Sequence, residues 1–139
     1  MRKVESIMTR NPKMIGKEEI VQKAAKKMEE LNCGILPIGD EDNVEGVITD
    51  RDIITRVVAV GKDLAKTKIS DVMSKSIVCC KEGDRVTTAV EKMNEHSIRR
   101  VLVFNKDEKL SGILSLGDVV RRVNDKSLLA EIFSETAVA

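Results

Sequence analysis

The stretch Gly46-Val47-Ile48-Thr49-Asp50-Arg51-Asp52 places a hydroxyl, two carboxylates and a guanidinium directly after an apolar run. On its own it is compatible with a catalytic or metal-binding acid pair, a phosphate-binding turn, or the capped start of a helix. A second stretch, GILSLGD at residues 112–118, keeps the glycine, the hydroxyl and the final acid but has leucine in place of Asp50. Both stretches therefore retain a hydroxyl and an acid three residues apart, which is the spacing of a helix capping box.

The two stretches belong to an internal repeat that runs through nearly the whole chain. A shift of 65 residues aligns the first parts of the two copies, and one extra residue in the second copy makes the shift 66 afterwards. Matches in a constant order with a single gap indicate a duplicated unit. The aligned pairs are Met8 with Met73, Val21 with Val86, Ala24 with Ala89, Lys27 with Lys92, Met28 with Met93, Gly46 with Gly112, Thr49 with Ser115, Asp52 with Asp118, and Arg56 with Arg122.

Each copy shows the same order of predicted elements, β-α-β-β-α, which gives a mixed α/β (α+β) fold class. Apolar residues at helical spacing predict a first helix from Val21 in one copy and from Val86 in the other, the latter with Asp84 as N-cap. Two strands around a charged turn follow, and a short second helix begins at the shared hydroxyl. The predicted strands are 13–15, 35–38 and 44–48, then 77–80, 101–104 and 110–114; the predicted second helices are 50–60 and 117–123.

The repeat divides the chain into two small domains and a tail. We predict domain 1 at residues 1–65, domain 2 at residues 66–125 and a C-terminal helical tail at residues 126–139, with residues 61–68 as the linker. A unit of about 55–60 residues buries too little surface to be stable alone. The two units are therefore expected to pack as an intramolecular pseudo-dimer.

The composition is that of a soluble globular chain with no strongly charged partner. Of 139 residues, 42% are hydrophobic and 34% are charged, and the net charge is only +1. This balance, with no Trp or Tyr in the chain, argues against a nucleic-acid-binding surface. No apolar run approaches the roughly 18 residues of a membrane span, and the N-terminus has no signal-peptide pattern. We therefore expect a cytoplasmic protein that does not enter membranes.

The residue patterns do not support an enzyme or a metal site. The three cysteines, Cys33, Cys79 and Cys80, form no CxxC pair and have only His96 as a nitrogen partner, so we predict that they are small buried hydrophobic residues. The second copy lacks the acid pair, and no Walker A, GxGxxG, HExxH or GxSxG pattern occurs. We expect no catalytic residue, no metal and no required cofactor, and we interpret His96 as a structural or surface residue.

The shared hydroxyl–acid pair has a structural interpretation and a functional one. Thr49 with Asp52, and Ser115 with Asp118, can cap the second helices without any ligand. The same geometry suits a nucleoside phosphate, because the hydroxyl can donate to a phosphate while the acid accepts hydrogen bonds from ribose hydroxyls. The spacing alone leaves both interpretations open.

The segments IMTRNP (7–12) and VMSKSI (72–77), with GVITDRDI (46–53) and GILSLGDV (112–119), resemble a tandem pair of CBS domains, also called a Bateman module. The resemblance covers about residues 4–123. It implies adenosyl ligands in clefts between the two units, with the shared hydroxyl and acid contacting phosphate and ribose. By resemblance, a slot for the base would be formed by Met14, Ile15, Gly34, Ile35, Cys79, Cys80, Arg100 and Val101.

Two arginines make the predicted clefts unequal. Arg99 and Arg100 can supply positive charge for phosphates, and the aligned residues of the first copy are Gly34 and Ile35. Gly34 has two interpretations, a close approach of the backbone to a ligand or a glycine at the end of the first helix. Which cleft is occupied stays open at this stage.

The expected function is that of a stand-alone regulatory CBS pair. It would bind AMP, ADP, ATP or an S-adenosylmethionine-like ligand between its units and signal by a conformational shift; the alternative is a ligand-free dimerisation or scaffold module. A homodimer is expected because the second helix of the first copy is more apolar than one core-facing stripe requires. The tail is expected either to reinforce that dimer or to bind a client protein. The apolar residues concerned are Ile53, Ile54, Val57 and Val58, then Leu128, Leu129, Ile132 and Phe133 in the tail.

Overall fold

A computed structural model describes residues 2–135 of the chain and the side chains of residues 2–134. The chain forms two compact units. The first-copy unit comprises Pro12–Ile77, and the second-copy unit comprises the residues up to Asn11 together with those from Val78 onward. We call the segments that precede the two copies the first lead-in (residues 3–10) and the second lead-in (residues 68–75).

The observed helices and strands follow the predicted repeat closely. In chain order they are β1 (Thr9–Arg10), α1 (Val21–Leu31), β2 (Ile35–Asp40), β3 (Asn43–Thr49), α2 (Asp50–Ile53), β4 (Cys79–Lys81), α3 (Val86–Glu95), β5 (Arg100–Phe104), β6 (Leu110–Ser115), α4 (Leu116–Arg122) and α5 (Lys126–Glu135). A 3₁₀ turn lies in each lead-in, at Val4–Ser6 and at Ile69–Asp71, and α2 continues as a π-helix over Ile54–Val58. The predicted mixed α/β fold class is confirmed.

The second-copy unit is built on a four-stranded sheet of order β1-β6-β5-β4. Strands β5 and β6 form an antiparallel hairpin, β1 pairs antiparallel with β6, and β4 runs parallel to β5. The first-copy unit has the corresponding hairpin, β2 with β3, and its outer positions are reduced to single bridges. Ile15 bridges to Ile38 in the parallel sense, and Ser74 bridges to Val47 in the antiparallel sense.

Each unit contains the lead-in that precedes the other copy. Val4, Ile7 and Met8 of the first lead-in are buried in the core of the second-copy unit. Their aligned counterparts Ile69, Val72 and Met73 of the second lead-in are buried in the core of the first-copy unit. The division at residues 65 and 125 is a division of the sequence into repeats, and it stays a prediction. The compact units follow a different boundary because the apolar face of each lead-in is covered by the unit it joins.

A glycine in each hairpin lets the lead-in approach the sheet. A β-carbon placed on Gly46 would lie 2.5 Å from the carbonyl oxygen of Ser74 and 2.6 Å from Cε of Met73. One placed on Gly112 would lie 2.5 Å from Sδ of Met8 and 2.9 Å from the carbonyl oxygen of Thr9. Both glycines therefore provide a close backbone approach that any side chain would block.

An arginine from each second-helix region holds the lead-in in place. Nη1 of Arg56 donates to the carbonyl oxygens of Val72 and Met73, at 3.0 and 3.2 Å. Nη1 of Arg122 donates to the carbonyl oxygens of Ile7 and Met8, both at 2.9 Å. A cationic donor satisfies the carbonyls that a short 3₁₀ turn leaves unpaired, and such bonds are stronger than neutral ones.

Two local expectations were wrong, and one of the two interpretations of Gly34 is excluded. Asp84 does not cap α3, because Arg85 is the N-cap residue and makes no side-chain bond; Asp84 instead accepts a hydrogen bond from the N–H of Lys81 and closes the preceding turn. Gly34 is not the glycine that ends α1, because Asn32 takes the left-handed position there, with φ 51°. The α-helical part of the second helix in the first copy is shorter than predicted and gives way to the π-helix.

The cysteine and linker expectations hold only in part. Cys80 is buried as predicted, whereas Cys33 is exposed and Cys79 is partly exposed. The predicted linker at residues 61–68 belongs to the first-copy unit, where the carbonyls of Leu64 and Thr67 accept hydrogen bonds from the first N–H groups of α1. The segment therefore caps a helix that has no side-chain cap of its own.

The apolar residues outside the sheets fall into two groups. Ile53 and Val57 are buried, but Ile54 and Val58 are 60% and 58% exposed, so the second helix of the first copy does have a second apolar face. In α5, Ile132 is buried in the core of the second-copy unit, with Leu128 and Leu129 packed against it. The predicted helical tail is therefore partly a core element; its last residues, 136–139, lie outside the described residues. Within residues 2–135, none of the helices combines the length and the apolar character that a bilayer crossing requires.

Candidate ligand site

Both shared hydroxyl–acid pairs form complete capping boxes. Oγ1 of Thr49 accepts the N–H of Asp52 at 3.1 Å, and Oδ2 of Asp52 accepts the N–H of Thr49 at 3.0 Å. In the second copy, Oγ of Ser115 accepts the N–H of Asp118 at 3.0 Å, and Oδ2 of Asp118 accepts the N–H of Ser115 at 3.0 Å. The structural interpretation of the spacing is therefore confirmed in both copies, and ligand binding by these residues stays a prediction.

The two acids are almost completely buried, which a capping role does not require. Asp52 is 7% exposed and Asp118 is 3% exposed, and they are the only buried charged residues within the described chain. Burying a carboxylate is costly unless hydrogen bonds and cations compensate. The contacts made by the second carboxylate oxygen must therefore help to compensate for this cost.

A hydroxyl from each lead-in donates to the buried acid, and the sequence analysis did not identify it. Oγ of Ser74 lies 3.3 Å from Oδ1 and 3.5 Å from Oδ2 of Asp52. Oγ1 of Thr9 lies 3.4 Å from Oδ1 of Asp118. The signal was present in the repeat, because Thr9 and Ser74 align at the shift of 65 and both directly follow the aligned methionines. The site motif thus extends from the second helices into the lead-ins.

The cation beside the acid differs between the copies. Nη2 of Arg121 donates to Oδ1 of Asp118 at 2.9 Å, a charge-assisted hydrogen bond. Asp52 has a weaker partner, because Nε of Arg56 lies 3.8 Å from its Oδ1 and the same guanidinium is directed at lead-in carbonyls. The first-copy residue aligned with Arg121 is Thr55, whose hydroxyl donates to the carbonyl of Arg51.

Each unit brings together the predicted residues of its own copy. Met14, Ile15, Gly34, Ile35, Thr49 and Asp52 lie in the first-copy unit, and Cys79, Cys80, Arg99, Arg100, Val101, Ser115 and Asp118 lie in the second-copy unit. The strand registers place Ile35 opposite Thr49 and Arg100 opposite Ser115. The carbonyls of Gly34 and Arg99 accept the first N–H of α2 and of α4, at 3.0 and 2.8 Å. The two sets therefore occupy equivalent positions in the two copies.

Several residues predicted for the base slot have buried side chains. Ile15 is part of the first-copy core, and Cys80 and Val101 are part of the second-copy core. Any contact that these three make with a ligand would therefore come from the backbone. Met14 and Cys79 are more exposed, and their carbonyls accept hydrogen bonds from two aligned lysines, Lys27 at 3.3 Å and Lys92 at 2.8 Å.

The titratable groups near the site include a buried thiol and an exposed histidine. Burial raises the pKa of the Cys80 thiol to about 12, so at neutral pH it is a protonated, unreactive group. Among the described residues, no three His, Cys, Asp or Glu side chains are grouped so that they could hold a metal ion. His96 is exposed at the end of α3 and lies outside the core, as expected for a surface histidine.

Comparison with known proteins gives the same organisation. The model of the CBS domain matches twice, over residues 4–59 and 69–125. The uncharacterized Bacillus subtilis protein YlbB is 36% identical over 121 residues, which cover 86% of this chain and 80% of that protein. A CBS domain protein of Pyrobaculum aerophilum, solved in complex with AMP, is 26% identical, covers 96% of this chain and 99% of its own, and has a TM-score of 0.79. A hexameric CBS-CP12 protein from bloom-forming cyanobacteria is 25% identical, covers 96% of this chain and 82% of its own, and has a TM-score of 0.80.

Proposed function

The chain belongs to the CBS-domain family, and from that premise we propose that it is a regulatory CBS pair that binds an adenosyl ligand through its buried hydroxyl–acid pairs. The observation that carries the proposal is the duplicated buried carboxylate, which in each copy accepts a backbone N–H within the capping box and a hydroxyl from the lead-in. A carboxylate in such a place can accept hydrogen bonds from ribose hydroxyls. The AMP bound to the Pyrobaculum aerophilum relative supports the same class of ligand.

The lead-in hydroxyls suggest how binding would be signalled. A ribose hydroxyl that donates to Asp52 would compete with Ser74 for the same oxygen atoms, and the corresponding competition at Asp118 would involve Thr9. Loss of that bond weakens the hold of the unit on its lead-in, which continues into the other copy of the repeat. A ligand that prefers one arrangement of the lead-in then shifts the population toward it by its differential affinity. The proposal assigns no catalysis to the chain.

Isothermal titration calorimetry with AMP, ATP, S-adenosylmethionine and GMP tests the proposal directly. We expect saturable binding of at least one adenosyl compound and none of GMP, and loss of binding at one site in Asp52→Asn or Asp118→Asn. Arg51→Asn is the matched control, because Arg51 is an exposed neighbour in the same motif. If no adenosyl compound binds to a folded protein, the proposal is wrong.

A ligand-free dimerisation module is the second candidate function. It is favoured by the complete capping boxes, which need no ligand, and by the exposed Ile54 and Val58 of the second-helix region. The hexameric cyanobacterial relative shows that a protein of this fold can self-associate. Sedimentation of the wild type against Ile54→Lys distinguishes the candidates. A homodimer lost in Ile54→Lys, in a protein that binds none of the four nucleotide compounds, would favour the second.

A further inference from the structure

The start of the second helix is acidic in the first copy. Asp50 and Asp52 both lie in its first turn, with Arg51 between them. The carboxylate of Asp50 accepts the N–H of Arg51 at 2.8 Å, so the first acid faces the first turn of the helix. The strand residue opposite Thr49 is the uncharged Ile35. The turn beside Thr49 therefore carries two carboxylates where the second copy has one.

The corresponding region of the second copy is basic. Leu116 and Gly117 replace the first acid and the arginine, which leaves Asp118 as the single acid of the turn. The strand residue opposite Ser115 is Arg100. Adjacent residues on paired antiparallel strands have β-carbons about 4.5–5.5 Å apart, so the Arg100 side chain begins next to the Ser115 hydroxyl.

Arg121 brings a second guanidinium to the same place. A β-carbon on Gly117 would lie 2.9 Å from Nη1 of Arg121 and 3.5 Å from Oγ of Ser115, so the guanidinium lies over the glycine on the side of the hydroxyl. One of its N–H groups is directed at Asp118, and a guanidinium has five. The Arg121 side chain is 65% exposed, so a ligand can reach it.

We infer, on the basis of the proposed function, that the second-copy site is the one that takes a phosphorylated adenosyl ligand, with Arg100 and Arg121 binding its phosphate. Planar guanidinium groups suit bidentate recognition of phosphate oxygens. Asp118 then has two roles, since it accepts a ribose hydroxyl and orients Arg121. The first-copy site, which has Ile35 and Thr55 in place of these two arginines, discriminates against phosphate and takes an unphosphorylated adenosyl compound or none.

Titration of AMP and of adenosine into two pairs of variants tests the assignment. AMP binding is expected to be lost in Asp118→Asn and to persist in Asp52→Asn. Arg121→Thr, which installs the residue of the first copy, should weaken AMP about tenfold while changing adenosine affinity less than about twofold. Arg100→Ile, also the first-copy residue, should act in the same direction. Thr55→Arg, the reciprocal exchange in the first copy, is the matched control and should leave AMP affinity at the second-copy site unchanged.

The outcomes separate this inference from the proposed function. If no adenosyl compound binds to the folded wild type, the proposed function fails and the inference fails with it. If AMP binds but is lost in Asp52→Asn and retained in Asp118→Asn, only the inference is overturned. Equal weakening of AMP and adenosine by Arg121→Thr would also overturn it, because Arg121 would then act on the whole site through Asp118. Circular dichroism of each variant confirms that it is folded.

Discussion

The two copies build the same capping box and surround its acid differently. In the first-copy unit, the second oxygen of Asp52 depends on the Ser74 hydroxyl, since the Arg56 guanidinium is 3.8 Å away. In the second-copy unit, Asp118 has a guanidinium partner at 2.9 Å in addition to the Thr9 hydroxyl. The capping box, which stabilises the start of the second helix, is therefore the same in both copies, whereas the charged residues around it differ.

The largest difference between the units should appear when their hairpin glycines are changed to alanine. Gly46→Ala is expected to destabilise the protein by about 2–3 kcal/mol and Gly112→Ala by about 1 kcal/mol. At Gly46 the new β-carbon would lie 2.5 Å from the backbone carbonyl oxygen of Ser74, whereas at Gly112 the nearest atom is Sδ of Met8 and the nearest backbone carbonyl, that of Thr9, is 2.9 Å away. Urea denaturation of the two variants measures both changes.

Gly83 provides the control for the glycine pair. A β-carbon there would meet no atom within 4 Å, so Gly83→Ala should leave the free energy of unfolding within about 0.5 kcal/mol of the wild type. Equal effects of Gly46→Ala and Gly112→Ala would mean that the lead-ins pack equally tightly in the two units. An effect of Gly83→Ala as large as theirs would show that the close approach is not the cause.

Removing the lead-in hydroxyls should produce a smaller difference. Ser74→Ala is expected to cost about 1 kcal/mol, because it deprives a buried carboxylate of its nearest side-chain donor. Thr9→Val, which keeps the shape of the side chain, should cost less than about 0.5 kcal/mol, since Asp118 retains Arg121. Thermal and urea denaturation measure the pair. If Thr9→Val lowers the free energy of unfolding more than Ser74→Ala does, Asp118 depends on its lead-in hydroxyl more than Asp52 does, contrary to this prediction.

A third difference concerns the titration of a buried thiol, Cys80, whose aligned residue in the first copy is Ile15. The folded pKa of Cys80, about 12, lies above the ordinary value of 9.0, so the folded protein retains the proton to higher pH than the unfolded chain does. The stabilising contribution is complete below pH 9 and is lost as the pH rises from 9 toward 12. Between pH 8 and pH 9.5 the wild type should lose about 0.8 kcal/mol more than Cys80→Val.

Alkylation gives an independent check on Cys80. Iodoacetamide at pH 8 should modify the exposed Cys33 and leave Cys80 unmodified until the protein unfolds. If Cys80→Val shows the same pH dependence as the wild type, or if Cys80 is alkylated as fast as Cys33, the thiol is not held in the core as described.

The sequence allowed the fold to be predicted because its main signals are local. The helical spacing from Val21 and the apolar run before Thr49 predict α1 and β3 without tertiary information. The hydroxyl–acid spacing at Ser115 and Asp118 likewise predicts a capping box, since all of its hydrogen bonds lie within four residues. The family was recognisable for the same reason, because its motifs are short segments in a constant order.

The sequence did not show which unit each lead-in joins. Alignment of Met8 with Met73 establishes that the two segments are equivalent, but both copies offer the same hairpin glycine and the same second-helix arginine. Which hairpin a lead-in pairs with depends on the tertiary structure, and a local sequence pattern carries no information about it. The roles of Thr9 and Ser74 were missed for this reason, since each hydroxyl reaches an acid 109 or 22 residues away. The guanidinium that pairs with Asp118 was missed because Arg121 looks like an ordinary basic residue at a helix end.

The exchange of lead-ins has a consequence for the history of the chain. A single ancestral copy would have had one lead-in and one hairpin able to bind a lead-in. Two such chains could have exchanged their lead-ins, as in domain-swapped dimers. Fusion of two copies makes this exchange intramolecular, and the effective concentration of each lead-in near its hairpin is then far higher. A chain cut between residues 65 and 66 would return to the ancestral situation. Its first half would keep Val4 and Ile7 and lack Ile69 and Val72, so the halves should fold best when mixed.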